Sequence, residues 1–161
     1  PLGVVDAEAT GQSIMFMLET NPGPGLGLLV AFWLAGPKLL RGSAPGAIVI
    51  QFLGGIHEIY FPYVLLKPQV VLGVIVGGMV GVTTFMITGV GLVSTPSPGS
   101  IFAYMAVTPA GNHLGVLLGI ALSAAASFVV TWFILKLSKV DSTETDFEAA
   151  QDRSKEMKAG K

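Results

Sequence analysis

Long uncharged apolar runs alternate along the chain with short polar interruptions, and the runs are of two kinds. Val70 to Val93 and Leu114 to Leu135 contain no formal charge. About 20 apolar residues rising about 1.5 Å each cross a hydrocarbon core of roughly 30 Å, so both are predicted transmembrane helices. The first carries Gly73, Gly77 and Gly81 at intervals of four, and the second carries Gly115 and Gly119, then Ser123 and Ser127. Small residues at that spacing form a ridge that lets helices approach closely in lipid, where packing replaces the hydrophobic drive. They predict bundle packing and say nothing about a substrate.

The other apolar runs are interrupted. Ile14 to Leu18 is cut by Glu19 and by Asn21-Pro22-Gly23-Pro24-Gly25, which predicts an irregular stretch before a short run from Leu26 to Ala35. Ala47 to Leu66 is long enough to span but contains Gly54-Gly55, His57, Glu58 and Pro62, which predicts a broken or re-entrant element. Such backbone is tolerated at membrane depth only where it is buried in protein or lines a water-filled cavity, and broken helices are a habit of transporter sites. Ser94 to Ser100, STPSPGS, is a turn cluster leading to a short membrane-dipping element at Ile101 to Val107. The fold class expected is an all-α membrane protein with transmembrane helices and broken elements. Residues 1–137 form its membrane-embedded part and 138–161 a polar linker, partly helical over Ser142 to Lys158.

Charge sharpens this division. Hydrophobic residues make up 52% of the 161 and charged ones 12%, against about 25% charged in ordinary soluble domains. Of nineteen Asp, Glu, Lys and Arg residues, twelve lie between Lys136 and Lys161. Lys136 and Lys139 close the last apolar run, which by the positive-inside rule directs the tail to the cytoplasm. A net charge of −1 without a basic stripe leaves no footprint for nucleic acid. The absence of Cys removes disulfides, thiolate metal sites and a cysteine nucleophile. The opening, PLGVVDAEATGQS, lacks the basic and apolar regions of a signal peptide, and a true N-terminus further upstream is expected.

Glu58 is the most informative residue. A carboxylate within a membrane segment is costly and usually faces a bundle interior or cavity, and its two oxygens suit the adjacent hydroxyls of a polyol or sugar. The competing reading pairs it with an Arg or Lys from elsewhere, or leaves it at the membrane surface. His57 beside it either brackets the same ligand or bonds a single backbone carbonyl. Successive residues on an α-helix point about 100° apart, so both reach one ligand only from irregular backbone, which Gly54-Gly55 and Pro62 supply. Glu19 and Asn21 form a second polar insertion. Asn21 offers donors and acceptors to hydroxyls or simply satisfies the turn, and Glu19 reaches ligand or water. Asp6, Glu8 and Gln12 are expected at solvent or the interface. No cofactor is expected: the glycine runs lack the Lys-Ser/Thr of a phosphate loop, and adjacent His and Glu lack zinc-ligand spacing.

The stretch GGIHEIYFPYVLLKP, Gly54 to Pro68, resembles the signature of the mannitol-specific enzyme II C domain of the bacterial phosphotransferase system. Ile56-His57-Glu58 after Gly55 matches the glycine, isoleucine, any residue, glutamate motif of related glucose-type domains. PLGVVDAEATGQSIMFMLETNPGPGLGLLVAF, LVSTPSPGSIFA and SFVVTWFILKLSK resemble the same domain in order and spacing, so the likeness covers essentially the whole chain. It implies a group-translocating permease of the cytoplasmic membrane that binds a hexitol, D-mannitol, while a B domain transfers a phosphoryl group from a phosphocysteine, supplied in turn by an A domain and HPr. It also implies a homodimer in lipid, and a sugar-binding role for Glu58. His57 occupies the variable motif position. The upstream transmembrane half and the B domain are not in this sequence, so the chain alone is expected neither to transport nor to phosphorylate. Two other readings stand beside this one: a secondary carrier using Glu58 and His57 as a proton relay, and a membrane scaffold that dimerises through its small-residue ridges.

Overall fold

The computed structural model describes residues 2–137 and 144–158. In chain order the helices are α1 (Leu2–Thr10), α2 (Met15–Leu18), α3 (Gly23–Ala35), α4 (Lys38–Ile48), α5 (Phe61–Leu66), α6 (Val71–Thr88), α7 (Ile101–Ala106), α8 (His113–Leu137) and α9 (Glu144–Lys158). A π-helical turn (Val49–Leu53) follows α4, and 3₁₀ turns precede α5 (His57–Tyr60) and α6 (Pro68–Val70). Among the described residues there is no strand, only an antiparallel bridge between Ser13 and Leu92. The all-helical architecture is the one expected.

At the centre, α8 lies between α3 and α6, and small residues let it do so. Gly119, Ser123, Ser127 and Thr131 form its buried stripe at intervals of four. Gly73, Gly77 and Gly81 of α6 face that stripe, as do Gly23 and Gly27 of α3. Side-chain hydroxyls fill the seam productively. Ser123 Oγ donates to the Gly77 carbonyl at 2.7 Å, and Ser127 Oγ donates to the Pro24 carbonyl at 2.7 Å. At one end the Phe85 ring occupies the room that Gly119 leaves. Two apolar clusters flank the seam. One gathers Leu28, Phe32, Leu40, Tyr63, Val70 and Leu135, and the other Met17, Phe85, Leu92, Tyr104, Val116 and Ile120.

Among the described residues, Pro68–Thr88 and His113–Leu137 are long and apolar enough to cross a membrane, with mean hydropathy of 2.3 and 2.2. Only 28% and 33% of the 18-residue apolar stretch within each are buried in the chain. Leu72, Ile75, Met79 and Ile87 on α6, and Leu114, Leu118 and Phe133 on α8, stand exposed on the outer faces. In water so much apolar area would be costly; toward lipid it is the required surface.

Two boundaries differ from expectation. The first span ends at Thr88, where Gly89 takes the left-handed conformation (φ 64°), and not at Val93. Val90 and Leu92 are apolar because they are buried in a turn-back that pairs with Ser13, not because they continue a helix. Gly23, Pro24 and Gly25 are not an irregular stretch but the first turn of α3, where a proline's missing N–H is no loss. Gly23 is required by α8, since a Cβ there would lie 2.7 Å from the Ile120 carbonyl oxygen and 2.8 Å from Ser123, while Gly25 faces Gln51. Helix α9 lies within the stretch read as a partly helical linker, and it packs on α5 with Ala150 and Ser154 buried. The remaining linker residues, 138–143 and 159–161, lie outside the described residues.

The seam makes a paired prediction within α6. A Cβ on Gly77 would meet Ser127 Cβ at 2.7 Å and the Ser123 carbonyl oxygen at 2.8 Å, whereas one on Gly78 meets nothing within 4 Å. Gly77→Ala should therefore destabilise by about 1–3 kcal/mol, and Gly78→Ala should be neutral or stabilise by up to about 1 kcal/mol. Heat resistance of the detergent-solubilised protein, followed by size-exclusion chromatography, checks both; equal behaviour of the two variants would contradict the packing described.

Candidate functional site

The segment between α4 and α5 is broken as expected, and the break has an identifiable construction. Pro45, within α4, cannot donate to the Arg41 carbonyl, and the helix widens into the π-helical turn shortly afterwards. The Gln51 carbonyl accepts from Gly55 N at 3.0 Å, closing the turn. Gly55 then adopts φ 75°, a conformation that side chains disfavour. It also lies against the loop before α7, where a Cβ would come within 2.6 Å of Ser100 N and 2.8 Å of Gly99 N. That loop contains a cis Ser97-Pro98 peptide and ends at Ser100, whose hydroxyl caps α7 by accepting from Ala103 N at 3.2 Å.

His57 and Glu58 are the first two residues of the 3₁₀ turn, where successive side chains diverge by about 120°. His57 Nε2 is 3.0 Å from the Gly99 carbonyl oxygen. Because a carbonyl only accepts, Nε2 carries the hydrogen, and in the neutral form of the ring Nδ1 is then the acceptor. The structure thus gives His57 the single carbonyl bond of the plainer reading while leaving one nitrogen for a ligand. Glu58 is exposed. Among the described residues no hydrogen bond or ion pair engages its carboxylate. It borders a hollow of about 250 Å³ lined with Ile59, Pro62 and, from α9, Gln151, Ser154 and Lys155.

The second polar insertion divides. Asn21 is buried and its amide is engaged at both ends: Oδ1 accepts from Gly23 N at 2.9 Å, and Nδ2 donates to Ser123 Oγ at 3.2 Å. Glu19 is exposed at the end of α2. Between them, the Thr20 carbonyl faces Gly99, where a Cβ would stand 3.2 Å from both it and His57 Nε2. Gly99 is therefore the junction that gathers the Glu58 segment, the loop before α7 and the end of α2. Sequence reasoning passed over this glycine, and also Gln51, a polar residue in an apolar run whose position was a visible signal. Gln12, expected at solvent or the interface, is half-buried and stitches the turn after α6: Nε2 donates to the Gly89 carbonyl at 3.0 Å, while Oε1 accepts from Gly91 N at 3.1 Å and Asn112 Nδ2 at 2.5 Å.

The chain is 54% identical, over all of its 161 residues, to the PTS system mannitol-specific EIICB component of Geobacillus stearothermophilus. It is 50% identical over the same length to the EIICB component of Bacillus subtilis, and 52% identical over 159 residues to the mannitol-specific EIICBA component of Escherichia coli K12. The chain is a homologue of the mannitol-specific phosphotransferase-system components. It spans about a third of the length of those EIICB relatives, 34% and 33%, and 25% of the EIICBA relative. No family model matches it, and no solved structure does. Identity at this level over the full chain means that this homologue and the corresponding parts of its relatives share one fold.

Gly55 gives the site its own test. In this mannitol-component homologue, Gly55→Ala should force both a disfavoured φ, at about 1–2 kcal/mol, and an overlap with Gly99 and Ser100. Amide exchange over 97–100 should accelerate roughly tenfold or more while exchange along α8 stays unchanged. Uniform acceleration along both would mean that Gly55 supports the whole fold and not this junction.

Proposed function

We propose that the chain is the substrate-handling part of the C domain of a mannitol-specific permease of the phosphotransferase system, embedded in the bacterial cytoplasmic membrane with its tail on the cytoplasmic side. The observation that carries this reading is identity of about one half, along the whole chain, to components named for mannitol. The site's construction supports it. A carboxylate without a partner among the described residues stands beside a hollow, on a break in a membrane element, which is where a polyol can be gripped away from lipid.

In this reading Glu58 accepts hydrogen bonds from adjacent hydroxyls of D-mannitol, and His57 Nδ1 accepts a further one while Nε2 holds the ring against Gly99. Glu19 contributes from the rim. Asn21, whose amide is already engaged, supports that rim from behind. The chain contains no Cys, and the phosphoryl group comes from the phosphocysteine of a B domain, charged through an A domain and HPr. Two copies assemble as a homodimer in lipid. No cofactor takes part.

In the full-length permease, Glu58→Gln keeps the side chain's size but exchanges two charged acceptors for one weaker acceptor and a donor. The loss of a charge-assisted bond is about 1.5–3 kcal/mol, so mannitol affinity should fall roughly ten- to hundredfold. Equilibrium binding to purified wild-type and variant protein measures it. A proton-relay carrier would behave otherwise, keeping its affinity while losing proton-coupled uptake, and that result would sink the hydroxyl-binding role.

A further inference from the structure

Gln51 is fully buried, yet only half of its amide is used. Nε2 donates to the Pro22 carbonyl at 2.9 Å. Because that carbonyl can only accept, the amide orientation follows from chemistry: nitrogen faces Pro22 and Oε1 points away. Oε1 is buried and has no hydrogen-bond partner among the described residues. A long polar side chain kept inside an apolar core with an unsatisfied acceptor is not there for packing alone, since Leu or Met would fill the volume without that penalty.

Its surroundings suggest what it holds. Gln51 lies in the π-helical turn, a rare conformation that recurs at functional sites. Its side chain reaches the first turn of α3 at Gly25. A Cβ there would lie 2.9 Å from Gln51 Nε2 and 3.1 Å from Tyr60 Cδ1. Gln51 precedes Glu58 and Tyr60 follows it, so the segment carrying His57 and Glu58 is anchored on both sides at the same glycine. Gln51 supplies the only directional bond of the two anchors among the described residues: Tyr60 contributes ring packing, and a ring can slide where a hydrogen bond cannot. The anchor is also rigid, because the Pro22 carbonyl belongs to the turn that Asn21 ties to Ser123 on α8.

We propose that Gln51 is a positioning residue for the polyol site, acting through Glu58: its bond to Pro22 fixes the π-helical turn on α3 and thereby sets where the Glu58 carboxylate stands. The inference rests on Glu58 binding the polyol, and the experiment separates the two ideas.

Equilibrium mannitol binding is measured on the full-length permease as wild type, Gln51→Leu, Glu58→Gln and the double variant, recording both affinity and the number of sites per folded protein. Gln51→Leu should weaken affinity about tenfold while the number of sites stays near wild type, and the double variant should bind no more weakly than Glu58→Gln within about twofold, because a residue acting through Glu58 has nothing left to position. A purely structural role would reduce the sites and leave the affinity of the remainder intact. That result, or losses that multiply in the double variant, overturns the proposal. If Glu58→Gln keeps full affinity, the Glu58 reading fails and this inference falls with it; if Glu58→Gln is weak and Gln51→Leu is unchanged, only this inference fails.

Should Gln51→Leu not fold, Gln51→Glu answers the same question. A protonated carboxyl can still donate to the Pro22 carbonyl and a carboxylate cannot. Affinity relative to wild type should therefore be retained where the introduced carboxyl is protonated, near about pH 5.5, and lost where it is ionised, toward about pH 8.5. A flat ratio across that range would refute the pin.

Discussion

Everything in this chain depends on how closely α8 can approach α3 and α6 at once. In lipid there is no hydrophobic gain from bringing two apolar helices together, so contact must be won by close backbone approach and by polar bonds between helices. The stripe of Gly119, Ser123, Ser127 and Thr131 meets glycines on both neighbours and supplies both. The serine hydroxyls bond outward to carbonyls of α6 and α3, so the centre of the bundle is stitched by groups that would otherwise be buried at a penalty. Thr131, whose hydroxyl lies against Gly73 without a partner among the described residues, is the exception in the stripe.

That tight seam is what permits an irregular segment beside it. The break from Val49 to Tyr60 absorbs its backbone groups locally: Gly54, Gly55 and Ile56 donate to the Val49, Gln51 and Ile50 carbonyls, and the His57 side chain ties the segment to the loop at Gly99. The rigid part and the irregular part meet at α3, whose first turn faces α8 with Gly23 and Gln51 with Gly25. One short turn thus serves two neighbours with opposite needs, and alternate glycines on different faces of the helix make that possible.

Much of the fold was legible because its physics is one-dimensional. Length and lack of charge mark the two spans, residues four apart mark their packing face, and Gly54-Gly55 with Pro62 marks the break. The readings that missed did so where tertiary packing overrules a local signal. Pro22 to Gly25 looks like a helix breaker, but at a first turn the proline is harmless, Gly23 answers to a helix about a hundred residues away in sequence, and Gly25 answers to Gln51. Val90 and Leu92 prolong an apolar run, yet their apolarity serves a core. In the site, Glu58 announced itself as a lone carboxylate in an apolar region. Gly99 showed only as part of a turn cluster, since a junction between three distant segments has no period in the sequence, and Asn21 offered two roles that only its partners could separate.

The seam has a further consequence. Because small residues repeat every four positions on both α6 and α8, sliding one past the other by a single turn, about 5.4 Å, would again set small against small: Gly115 could take the place of Gly119 opposite Phe85. Steric fit alone therefore leaves the two helices nearly degenerate, like a ratchet with identical teeth. The observed register carries a relay of bonds: Asn21 accepts from the start of α3 and donates to Ser123 Oγ on α8, and Ser123 Oγ donates in turn to the Gly77 carbonyl of α6. That relay, adding almost nothing to the volume of the core, marks out one tooth of the ratchet.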